Sequence, residues 1–148
     1  SMNETARAIC TALDLAPHPE GGWYRETWRA EAKGQERAAG TAIHFLLAAG
    51  ERSHWHRIDA TEIWLWHAGD PLALHMAEDG ETIDRTVQLG PDIATDQAPQ
   101  AIVPPDMWQA AEPLTDTCGY CLVSCVVVPG FDFDGFTLAP PGWTPANQ

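Results

Sequence analysis

Punctuation by glycine and proline is what most restricts this fold. Twelve of each are scattered along 148 residues without clustering, and short runs rich in β-branched and aromatic residues lie between them. Tight turns at that density suit many short strands better than a bundle of helices. Strands are predicted at 23–29, 41–48, 53–58, 62–67, 71–76, 82–89, 101–103, 107–111 and 119–128. In the first of these, alternation puts Trp23, Arg25, Thr27 and Arg29 on one face. One helix is predicted over 4–15, where Ala8, Ile9, Ala12, Leu13 and Leu15 recur at near-helical spacing behind a capping Asn3; Pro17 ends it. The polar stretch at 30–40 reads as a loop. The expected class is all-β with a short N-terminal helix, organised as one domain over 3–140 and a C-terminal tail at 141–148. Ser1, ahead of Met2, reads as a residue left by tag removal and is set aside.

Charge narrows the partners. With 21 acidic against 8 basic residues the formal charge is −13, a field that repels phosphate backbones, and no run of Lys or Arg overrides it. Nucleic acid and anionic membranes are therefore unexpected partners. No apolar run reaches the ~20 residues that a membrane helix needs. The N-terminus lacks the basic and apolar regions of a signal peptide, so a soluble, cytoplasmic protein is expected. Cys118-Gly-Tyr-Cys121 has the spacing of a redox or zinc motif, but on the strand predicted there residues three apart face opposite ways. Cys121 and Cys125 share a face yet sit ~13 Å apart, beyond disulfide reach. The cysteines are expected to be reduced, core-filling thiols.

The chemistry concentrates in one stretch. His44, His54, His56 and His67, four of the six histidines, fall there with Glu62, Trp55, Trp64 and Trp66. His54 and His56 are two apart, so on an extended strand both imidazoles leave one face, as two ligands of a divalent ion must. Glu62 would add a carboxylate from the next strand. Two surface histidines on an edge strand would show the same spacing. Trp64 and Trp66 share the predicted face of Glu62 and are either pocket walls or core. The block at 17–29, PHPEGGWYRETWR, crowds His18, Glu20, Tyr24, Arg25 and Glu26 around a glycine pair and reads as a pocket rim.

Gly50, His54, His56, Glu62 and Gly69 together resemble the first cupin motif, with one residue more than usual between His56 and Glu62. Pro104, Asp106 and Gln109 fall where the second motif, Pro-x-Gly-x-x-His, is due. The blocks at 17–29, 41–47 (TAIHFLL), 56–72 (HRIDATEIWLWHAGDPL), 103–111 (VPPDMWQAA) and 129–138 (PGFDFDGFTL) are similar to a branch of the cupins whose members are often described as sugar isomerases or epimerases. The resemblance implies a double-stranded β-helix of jelly-roll type, a pocket between two sheets, and a homodimer. It also implies one divalent ion, Mn, Fe, Zn or Ni, on His54, His56, Glu62 and Gln109. Gln109 stands where that motif has histidine, and a neutral amide oxygen is the poorer ligand.

Two functions from different classes follow. One is an isomerase or epimerase acting on a carbohydrate-like metabolite by proton transfer, with or without metal assistance. Glu62 and His56 are then the catalytic residues, and Tyr24, Arg25, His44, Arg57, Trp64, Trp66 and Trp108 contact substrate. Arg25 and Arg57 would supply charge for a carboxylate or phosphate. The other is a non-catalytic, dimeric, ligand-binding cupin. A metal-dependent dioxygenase is a third reading, against which Gln109 counts. Phe131, Phe133 and Phe136 are expected as anchors over the barrel or at a dimer interface.

Overall fold

Alternation along the strands divides the chain into an inside and an outside. The computed structural model describes residues 2–145. Its elements are helix α1 (Glu4–Leu13) and strands β1 (Ala16–Pro17), β2 (Trp23–Arg29), β3 (Thr41–Ala48), β4 (Ser53–Ile58), β5 (Thr61–Gly69), β6 (Leu72–Ala77), β7 (Arg85–Leu89), β8 (Gln100–Val103), β9 (Trp108–Pro113), β10 (Tyr120–Val128) and β11 (Phe136–Leu138). Two antiparallel sheets result, ordered β1-β2-β3-β10-β5-β8 and β11-β4-β9-β6-β7. This is the expected jelly roll with its N-terminal helix. Along β10 every second residue is buried: Cys121, Val123, Cys125 and Val127 point inward.

The main core fills one end of the space between the sheets. Phe45 and Leu47 of β3, Trp64 of β5, Leu72, Leu74 and Met76 of β6, and Cys121, Val123 and Cys125 of β10 meet there. Phe45 and Trp64 pack edge to face, their ring centres 6.0 Å apart. Toward the other end Ile58, Ala60 and Val127 form a smaller apolar cluster with Phe131 and Phe136. A third cluster lies outside the five-stranded sheet, where Trp55, Ala77, Ala110 and Ala139 are covered by Trp108 and Trp143. Trp143 belongs to the segment expected as a tail, and its ring lies 4.7 Å from that of Trp108; residues 146–148 of that segment lie outside the described residues.

Three features depart from simple alternation. Register shifts mark bulges in β2 between Glu26 and Trp28, in β4 between Ser53 and His56, and in the β5–β10 pairing at Leu122/Val123. The helix stops two residues early because Asp14 turns left-handed (φ 56°), its N–H reaching back to the Cys10 and Thr11 carbonyls; Asn3 caps the other end, accepting from Ala6 N–H at 2.8 Å. Cys118 lies before β10 and is exposed, so it fills no core; Cys121 and Cys125 are buried, and all four cysteines are free. Among the described residues no helix is long and apolar enough to cross a membrane.

One buried carboxylate is structural. Asp70 follows β5 and accepts hydrogen bonds from Thr115 Oγ1 (2.7 Å), Cys118 N–H (2.9 Å) and Gly119 N–H (3.0 Å), pinning the turn into β10. Burial pushes its pKa up, but these donors outweigh that and hold it below the usual carboxylate value. Asp70→Asn places an amide donor against other donors, and a loss of about 2–3 kcal/mol is expected in urea unfolding at pH 7. Because the folded-state value is depressed, the Asp70 contribution is present above the ordinary carboxylate range. It fades as pH falls through the folded value, so wild type and variant converge in acid.

Candidate functional site

A pocket with mainly apolar walls and a few ionisable groups opens between the sheets at the end away from the main core. Its cavity volume is about 80 Å³, and it is walled by Tyr24, Ile43, Ile58, Val127, Phe131 and Phe133, with His18, Glu20, His56 and Glu62 inside and Glu26, Arg29 and Thr41 toward β2 and β3.

Glu20 is delivered by the turn at 18–22. His18 N–H bonds to Gly22 carbonyl and Gly21 N–H to His18 carbonyl, while His54 N–H meets Glu20 carbonyl at 2.8 Å and ties the turn to β4. Gly21 has φ +111°, and a side-chain carbon there would collide with the Arg52 carbonyl, so only glycine lets the turn lie this close. The Glu20 carboxyl accepts from Ser53 Oγ at 2.7 Å through Oε1, and its Oε2 lies 3.2 Å from His56 Nε2. Ser53 and His56 are three apart on one strand, yet both reach the same carboxyl. The β4 bulge, which sets Ser53 opposite Ala111 and His56 opposite Gln109, makes this happen.

Glu62 enters from β5, paired with Val127 and Val103, and is held by its neighbours. Trp64 Nε1–H can only donate, and it donates to Gln109 Oε1 at 2.9 Å, which turns the Gln109 amide so that Nε2–H donates to Glu62 Oε1 at 2.8 Å. The Cys125 thiol, kept protonated by burial, lies beside Glu62.

Burial decides the protonation of the group. It pushes the Glu20 carboxyl up to about 8, against the Ser53 hydrogen bond that favours the anion, and the Glu62 carboxyl to about 7. Burial also lowers His56, against the opposing charge of Glu62, and takes His18 down to about 4, assisted by His56. The hydrogen bonds agree with a neutral His56. Its Nδ1 sits 2.8 Å from the His54 carbonyl and must carry the proton there, leaving the Nε2 lone pair to accept from a protonated Glu20. Near neutrality the pocket thus holds a protonated Glu20, a neutral His56 and a Glu62 at its midpoint.

The family model of the Cupin superfamily (DUF985) matches residues 7–139. The chain belongs to this cupin family. Protein SO0799 from Shewanella oneidensis is 40% identical to this cupin with a TM-score of 0.83, over 90% of this chain and 84% of its own. A hypothetical protein from Leishmania major is 33% identical at a TM-score of 0.83, covering 93% and 89%. Bacillus subtilis oxalate decarboxylase, an enzyme with Mn(II) centers, shares 15% identity at a TM-score of 0.59, over 84% of this chain and 30% of that one, a likeness of fold alone. No curated protein matches.

Of the residues singled out in the sequence, this cupin brings Glu62, His56 and Tyr24 to the pocket together with His18, Glu20, Glu26, Arg29, Phe131 and Phe133, joined by Gln109 beneath Glu62. The others lie elsewhere. His54, on the far side of the bulge, turns its Nε2 to the Pro140 carbonyl at 2.9 Å. Arg25 leaves the outer face of β2 and pairs with Asp14 at 2.7 Å. Arg57 stacks over Trp108, 4.8 Å from the ring centre, outside the five-stranded sheet. His44 sits on the outer face of β3 opposite Arg25 and Ser124. Trp64 is wholly buried core, and Trp66 packs against the same core, with its Nε1–H on the Asp70 carbonyl. Glu20 and Arg29 carried the weakest individual signals. The density of ionisable side chains at 17–29 pointed to that block, while the orientation of Arg29 follows from the β2 bulge, which pairs Arg29 with Thr41 and turns it inward.

The expected metal set does not assemble. His54 faces away, and Gln109 spends its oxygen on Trp64 and presents N–H to the site. Among the described residues no three His, Cys, Asp or Glu side chains are grouped to hold an ion. The residues as placed do not fit the metal that the resemblance implies.

Proposed function

We propose that this cupin is a proton-transfer enzyme of isomerase or epimerase type, acting on a small polar metabolite bearing a hydroxyl beside a carbonyl. One observation carries the reading: two buried carboxyls of unequal proton affinity, Glu20 and Glu62, face one pocket across His56. A pair pushed apart in this way supplies a base and an acid at the same pH. Glu62, ionised above about 7, takes the proton from the carbon next to the carbonyl. Glu20, protonated up to about 8, donates to the oxygen on which charge develops, and His56 Nε2 holds that proton in place. Phe131 and Phe133 wall the mouth and limit water.

Incubation with unphosphorylated hydroxyaldehydes and hydroxyketones in D₂O tests this. Enzyme-dependent loss of the proton next to the carbonyl in the ¹H NMR spectrum is expected for at least one of them. Saturable binding without exchange would replace the reading with the non-catalytic binding module.

The homodimer is proposed to form through the outer face of the six-stranded sheet, where Trp28, Ile102 and Val128 are exposed. Sedimentation equilibrium should give twice the 16.2 kDa chain mass, and Ile102→Glu should shift it to monomer. A wild-type monomer at 100 μM, on the order of the concentrations where weak dimers persist, would exclude this interface.

A further inference from the structure

Three carboxyls and one guanidinium surround the pocket, and the guanidinium is already spoken for. Among the described residues lining it, Arg29 is the one lysine or arginine. Arg29 Nε and Nη2 donate to the two Glu26 oxygens at 2.9 and 2.8 Å, and Nη1 donates to the Phe131 carbonyl at 3.1 Å. That two-point grip neutralises the cation and directs its fork at Glu26 and away from a ligand. Arg25 and Arg57, which the sequence offered for binding an anion, leave from other faces. Deeper in, Glu20 Oε1 accepts from Ser53 Oγ and Glu62 Oε1 accepts from Gln109 Nε2–H, and each carboxyl keeps lone pairs beyond these, so the floor of the pocket accepts hydrogen bonds.

We infer that the pocket is built for an uncharged small molecule that presents hydroxyl donors to Glu20 and Glu62, that it rejects carboxylates and phosphates, and that Glu26 enforces the rejection by clamping Arg29. The inference rests on this pocket being the ligand site, as the proposed function holds, but not on turnover. An anion entering would meet Glu62 and Glu26 with no free cation to offset them. The difficulty that both interior carboxyls have in ionising shows how strongly negative charge is resisted there.

Inorganic phosphate and acetate are the probes, titrated at constant ionic strength and pH 7.5 while the ring signals of His18 and His56 are followed by NMR. Wild type is expected to show at most a weak shift, unsaturated over the range in which the Glu26→Gln variant saturates. Glu26→Gln, which leaves the Arg29 fork free, is expected to bind phosphate at the pocket about tenfold tighter than wild type, the gain of one or two charge-assisted hydrogen bonds. Adding Arg29→Gln to that variant should abolish the gain. Phosphate saturating wild type as tightly as the variant would overturn the inference, and so would a Glu26→Gln protein that is folded by circular dichroism and takes no phosphate. Because the readout is binding, failure of the proton-transfer chemistry would leave this result intact, and the converse also holds.

Discussion

Glu62→Gln is expected to cut turnover by about 10²–10⁴-fold with little change in ligand affinity, the range lost when a positioned base is removed. The amide can still accept from Gln109 Nε2–H, so the fold should survive, and an unchanged circular dichroism spectrum is the control. In wild type, kcat/KM should follow a narrow bell. It rises as Glu62 loses its proton near 7 and falls as Glu20 loses its own near 8. In Glu20→Gln the alkaline limb should disappear. Turnover in Glu62→Gln equal to wild type would remove Glu62 from the chemistry and leave ligand binding as the function of the pocket.

Glu20→Gln is expected to make the protein more stable, by an amount that depends on pH. The folded state raises the Glu20 carboxyl from its ordinary value to about 8. Below the ordinary value both states are protonated and nothing is lost. Between the two values the unfolded chain ionises while the folded one does not, so wild-type stability falls as pH rises and the deficit is complete above about 8. Glutamine removes that deficit and fits the site. Its oxygen accepts from Ser53, and its amide donates to the His56 Nε2 lone pair. A gain of about 3 kcal/mol, or roughly 5–10 °C in Tm, is expected at pH 8.5, shrinking to under about 1 kcal/mol at pH 5. Equal melting curves at both pH values would show that Glu20 ionises freely. A site that holds a carboxyl at such a cost is one where stability is given up for function.

How far the sequence could be read is clearest on β4 and β2. The boundaries of β4 at Ser53–Ile58 and of β2 at Trp23–Arg29 are where alternation and turn residues put them. Their faces are not. Alternation set His54 beside His56 and grouped Arg29 with Arg25, and in each strand one extra residue reverses the parity beyond it. A bulge is a property of the pairing between two strands, so neither strand carries it alone. The pairing of His54 with His56 in the metal set rested on the unbroken alternation. β5 pairs Glu62, Trp64 and Ile63 with β8 in regular register, and there Glu62 and Trp64 do share the inner side.

What the sequence determined by itself was local and periodic. The spacing of glycine and proline and the two-residue repeat of apolar side chains specify the strands, Asn3 the start of the helix, and the excess of acid the long-range field, because each depends on neighbours in the chain or on a sum over it. Tertiary structure alone decided which ionisable groups meet. Glu20 reaches His56 from 36 residues away because Gly21 lets a turn approach the Arg52 backbone and because a bulge turns His56 inward. Gln109 donates to Glu62 because Trp64, two residues along β5, claims its oxygen. Burial then sets the acidities, and burial is a sum over every element that covers the site.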